Sequence, residues 1–147
     1  MSDARILIAQ PVEAMAPTAM ALKGYDLVPT TTLLQAKRMV IEDGIDIFVI
    51  GIHFDDSRSL EFVHEIRSCE KNAKTPIIMV RTMPSAIEHT LRKSVLAVKS
   101  LYDIAIYLEC ESEEKLEHEL RVQVEKLLHS QESTIDMHSS SITEQIR

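Results

Sequence analysis

Asp46-Ile47-Phe48-Val49-Ile50-Gly51-Ile52-His53-Phe54-Asp55-Asp56-Ser57-Arg58-Ser59-Leu60-Glu61-Phe62 is the stretch on which the fold turns. From Ile45 to Ile50 it is almost unbroken hydrocarbon, the pattern of a central strand buried on both faces. Gly51 ends that run, and a polar loop with two aspartates follows. Ser57 or Ser59 is placed to cap a helix that turns Leu60, Val63 and Ile66 inward.

The same alternation of short apolar run and helical period extends in both directions. Arg5–Ala9 reads as a first strand. Pro17 fits the first turn of a helix, which sets that helix at about Pro17 to Lys23, with Gly24 as its left-handed stop. Tyr25–Pro29 reads as a second, edge-like strand. Thr31 or Thr32 can cap a helix whose Leu33, Ala36, Met39 and Val40 share a face.

Pro76–Val80 reads as the fourth strand. A helix from Ala86 to about Ser100 carries Ile87, Leu91, Val95 and Val98, and Asp103–Leu108 reads as the fifth strand. The last helix runs from Glu113 to about His129, with Leu116, Leu120, Val124 and Leu127/Leu128 as its stripe. Five βα units predict an α/β domain over residues 1–129, a doubly wound parallel sheet of order 2-1-3-4-5, the flavodoxin-like arrangement. Its crevice lies outside the carboxyl ends of strands one and three, which gathers Ala9–Val12, Gly51–Asp56 and Arg81–Thr82. Residues 130–147 are Ser/Thr-rich without a strong period and read as a disordered polar tail.

Composition narrows the function classes. The chain has 147 residues, 45% of them hydrophobic, and a formal charge of −7. An acidic chain is a poor partner for nucleic acid. No apolar run reaches bilayer length and no signal-like start is present, so a cytoplasmic protein without membrane contact is expected. Cys69 and Cys110 make no disulfide framework, and His64 and Cys69 fall on different helix faces. No metal or cofactor is expected.

Four short matches carry a family resemblance. The quoted stretch is similar, without gaps, to the D-L-V-L-L-D-I-x-L-P-D-x-x-G-L-E-F pattern of response-regulator receiver (CheY-like) domains. Gly24-Tyr25-Asp26-Leu27-Val28, Thr75-Pro76-Ile77-Ile78-Met79-Val80 and Tyr107-Leu108 resemble that family's second, fourth and fifth strands, in the same order. The resemblance covers about residues 4 to 129.

It also implies a loss. A receiver holds Mg2+ with an acid pair after strand one, phosphorylates an aspartate ending strand three, and uses a Ser/Thr and a Lys after strands four and five. Here those places fall on Gln10 and Pro11, on Gly51, on Arg81, and on Glu109 or Cys110. None keeps its chemical role. The resemblance therefore implies a degenerate, non-enzymatic pseudo-receiver, a signalling protein that acts on a protein partner without phosphorylation.

Arg81 is expected to fill the space the aspartate vacates and to pair with Glu109 or Asp55. A makeshift cation site from Glu13 and Asp55 is the weaker expectation beside solvated loop acids. His89, Arg92, Lys93 and Lys99 make the fourth-helix region basic, whereas Glu111, Glu113, Glu114, Glu117 and Glu119 make the start of the last helix acidic. A homodimer or partner face is thus expected around Arg92, Lys93, Tyr107, Glu114 and Glu117. The competing function is a small-ligand sensor that uses Arg81 as an anion anchor in the altered pocket.

Overall fold

The computed structural model describes the backbone of residues 4–42, 44–82 and 97–146, with side chains except at residue 42 and beyond residue 131. The elements are β1 (Arg5–Ala9), α1 (Val12–Ala21), β2 (Asp26–Thr30), α2 (Leu33–Glu42), β3 (Ile47–Gly51), α3 (Ser59–Ser68), β4 (Ile77–Arg81), β5 (Ile106–Glu109) and α5 (Glu113–Ile146). The described part of α4 is residues 97–101, and most of the fourth helix expected from the sequence lies outside the described residues. The five strands are all parallel in the order β2-β1-β3-β4-β5, as the periodicity predicts.

Strand pleating divides the core into two halves. Leu7, Ala9, Phe48, Ile50, Ile77 and Met79 face one way, against Leu33, Ala36 and Val40 of α2 and Phe62, Val63 and Ile66 of α3. Ile6, Ile8, Ile47, Val49, Ile78 and Val80 face the other, against Ala21 and Leu22 at the end of α1 and Leu116, Leu120 and Val124 of α5. β3 is buried at every position. Two packed faces explain why its sequence shows no alternation.

Several boundaries differ from the sequence expectation, each for a local reason. Pro17 sits inside α1 rather than in its first turn, because α1 begins at Val12 behind Pro11. Packing of α1 against α5 outweighs the cost of the missing donor. Leu60 is largely exposed and Phe62 takes the inward place beside Val63 and Ile66. Ser59 does not cap α3: its buried hydroxyl donates to the Ile52 carbonyl at 2.9 Å and ties the helix to the strand end. Asp103 lies in a left-handed turn (φ 54°), so β5 starts later, at Ile106.

The largest difference concerns the tail. α5 continues to Ile146 instead of ending near His129 in a disordered segment. No Gly or Pro occurs after residue 84, so the sequence contains no residue that forces a stop.

Two non-local clamps set the helix ends. Thr32 caps α2 through the Gln35 N–H (3.2 Å), while the Asp55 carboxylate accepts from the Leu33 N–H at 2.7 Å. Asp55, Asp56 and Ser57 all have positive φ, which brings the Asp55 carboxylate back across to the start of α2. Asp and Ser tolerate that region better than branched residues. At the other end, Arg121 donates to the Ala21 and Lys23 carbonyls, both at 3.0 Å, and caps α1 from α5.

Candidate functional site

The crevice end of the sheet gathers Gln10, Gly51, Arg81 and Glu109, as expected, but splits them between two faces. Gly51 pairs in register with Val80, and Arg81 with Glu109. Arg81 is thus one pleat step beyond the residue opposite Gly51, and its side chain leaves on the α4 side. The expectation that Arg81 fills the vacated space is therefore corrected: Gln10 fills it.

The Gln10 side chain is 1% exposed. Its Nε2 donates to Thr18 Oγ1 at 3.1 Å, and the Thr18 hydroxyl donates to the Ala14 carbonyl at 2.7 Å. A Cβ added at Gly51 would overlap Gln10 Oε1 and lie 2.6 Å from its Cδ. Gly51 itself does not have a positive φ. Its backbone would accept a side chain, but only if the Gln10 amide, the far end of a flexible side chain, moved aside.

Pro11 begins α1, and its carbonyl accepts the Ala14 N–H at 3.0 Å. A Mg2+ ion of the kind receivers use does not fit this set. Pro11 has no side-chain donor atom, Gly51 has no side chain, and the Gln10 amide is neutral and already tied to Thr18. The Asp55 carboxylate is engaged with the Leu33 N–H at the start of α2. Among the described residues no cluster of three or more His, Cys, Asp or Glu is arranged to hold a metal ion.

On the opposite face Arg81 is a buried guanidinium, 1% exposed. The Tyr107 hydroxyl donates to Glu109 Oε1 at 3.1 Å and is also hydrogen-bonded to Arg81. Burial pushes the Tyr107 phenol up to about 12; the Glu109 carboxylate adds to that and Arg81 opposes it. Arg81, Tyr107 and Glu109 thus form one polar cluster under the α4 side of the sheet end. Arg81 and Glu109 are the site residues expected from the sequence, whereas Tyr107, expected on an outer face, joins them here.

A cleft of about 280 Å3 opens between the start of α1 and the β5–α5 loop, lined by Glu13, Pro17, Thr82, Glu111, Glu113 and Leu116, among others. Three glutamates around one opening repel an anion. Arg92 and Lys93 lie outside the described residues. Glu114 and Glu117 are exposed on α5, while Tyr107 is half-buried.

Cys110 follows directly on β5 and is 1% exposed, whereas Cys69 is partly exposed. Burial first, and then Glu119, push the Cys110 thiol up from 9.0 to about 11. A thiol reagent at neutral pH is expected to label Cys69 readily and Cys110 only after unfolding, counted by mass. Both raised groups hold their protons more tightly in the folded chain. Their stabilisation is complete below the unfolded values of 9.0 and 10.0 and is lost as pH rises towards about 11 and 12. Urea midpoints should therefore fall progressively above pH 9; a flat profile through that window refutes the assignment.

No family model matches the chain, and no curated protein matches it. Solved structures do. The phosphorylated cyanobacterial phytochrome response regulator RcpA superposes with a TM-score of 0.72 at 13% identity, covering 88% of this chain and 96% of that one. A CheY-like receiver domain protein from Methanospirillum hungatei gives 0.69 at 18% identity, covering 90% and 99%. A protein from a family of redox sensors in the streptococci, evolved from two-component response regulators, gives 0.70 at 14% identity, covering 92% of this chain and 55% of that one. The structural neighbours are thus receiver domains, and the chain has their α/β fold, five parallel strands in the order 2-1-3-4-5.

Proposed function

We propose that the chain is a pseudo-receiver of two-component-type signalling that works without phosphorylation or catalysis, by binding a protein partner in the cytoplasm. One observation carries this reading: the buried Gln10 side chain occupies the space over Gly51 in which an acceptor carboxylate would stand. A phosphoryl group needs a nucleophile, a cation and open space at the same point. The residues at this point supply a neutral amide held by Thr18, a proline and a glycine.

The anion-sensor reading draws no support from the site. Its anchor, Arg81, is buried against Tyr107, and the nearby cleft is lined by glutamates. A homodimer through α4 and α5 belongs to the same proposal, with Glu114 and Glu117 exposed for it.

Incubation with acetyl phosphate and Mg2+ tests the reading. Intact mass spectrometry is expected to return the unmodified chain. A stable gain of one phosphoryl group overturns it.

A further inference from the structure

The outer face of α2 has no role in the crevice, yet it exposes two large apolar side chains. Leu34 is 66% exposed and Ile41 71% exposed. They are two helical turns apart on one side of α2, roughly 10 Å along the axis. Arg38 lies between them, and Lys37 flanks the row. Within α2 only the last residue, Glu42, is acidic, although the whole chain carries a net charge of −7. Lys37 reaches Glu65 at only 4.0 Å, with both side chains well exposed, a pair too weak to neutralise the face.

Beyond Arg38 the row borders a groove of about 510 Å3 between α2 and the edge strand β2. Val28, Pro29 and Thr30 form one wall and Gln35, Arg38 and Met39 the other, so Arg38 belongs to both row and groove. Pro29 removes a backbone donor from β2, which disfavours an added strand along that edge. What remains is a helix-in-groove geometry, read by anchors at i, i+4 and i+7.

We infer that the α2–β2 face docks an acidic amphipathic helix of a protein partner, its apolar row seated over Leu34 and Ile41 and its carboxylates on Lys37 and Arg38. This rests on the reading that the chain signals by protein contact, and it names the surface and the chemistry of the contact. A second copy is a poor occupant: the acidic surface of this chain, at the start of α5, exposes Glu113, Glu114, Lys115, Glu117 and His118 and no apolar residue to enter the groove.

The test uses a synthetic helical peptide with leucines at i, i+4 and i+7 and glutamates on its flanks, and a twin with lysines in place of the glutamates. Titrated into the isotope-labelled full chain, the acidic peptide should shift amide signals of α2 and β2. Arg38→Glu, and separately the double variant Leu34→Ser/Ile41→Ser, should each weaken binding by roughly tenfold or more. All three positions are exposed, so unchanged melting temperatures confirm intact folds.

Equal binding of the lysine twin, or shifts centred on another face, overturns the inference. So does a wild-type dimer in sedimentation that the double serine variant dissolves, because that assigns the face to a second copy. The acetyl phosphate measurement is independent of these outcomes, so failure of the α2 face and failure of the pseudo-receiver reading are distinguishable.

Discussion

Gly51→Asp is expected to destabilise the chain by about 3 kcal/mol, and not to restore phosphorylation. The new Cβ alone overlaps the Gln10 amide, and overpacking of a close-packed site costs roughly 1–3 kcal/mol. The carboxylate would also enter a place where Gln10 is already 1% exposed, which adds a desolvation cost. Shortening Gln10 in the same chain should recover part of the loss. A coupling of about 1–2 kcal/mol between Gly51→Asp and Gln10→Ala is expected from urea unfolding. Strict additivity of the two changes would show that Gln10 does not occupy the acceptor space.

Arg67→Ala is expected to cost about 3 kcal/mol, well above the effect of an ordinary half-exposed position. From α3 its guanidinium donates to four backbone carbonyls: Tyr102 at 2.7 Å, Asn72 at 2.9 Å, Thr75 at 2.7 Å and Asp103 at 3.0 Å. These belong to the turns that lead into β4 and β5. Removing the fork leaves their oxygens without a charged donor in a partly buried place. Lysine cannot reproduce the planar fork, so Arg67→Lys should recover only a minor part of the loss. Denaturation midpoints check both variants, and a loss below 1 kcal/mol for alanine refutes the role.

The first of these sites belongs to the crevice end of the sheet, whereas Arg67 ties the opposite end. The crevice edge is closed from one side by Gln10 and Thr18 and from the other by the Arg81–Tyr107–Glu109 cluster. The first closure is an uncharged contact between amide and hydroxyl.

The sequence alone determined the strands and their order. Apolar runs such as Ile47–Ile50 are local signals, and βα alternation with right-handed crossovers leaves few topologies. The resemblance to receiver domains further implies that Gln10, Pro11, Gly51, Arg81 and Glu109 stand where that family carries its acids, Ser/Thr and Lys, since residue type is visible without coordinates.

What only the tertiary structure decided was which side chain fills which space. Arg81 is the occupant the sequence suggests for the room over Gly51, but the register places Val80, not Arg81, opposite it, and Gln10 fills the room. Asp55 read as a loop acid because its partner, the Leu33 N–H, is 22 residues away. Pro17 inside α1 and α5 running on to Ile146 were equally hidden. Register, non-local capping and packing depend on segments far apart in the chain, and local periodicity carries no record of them.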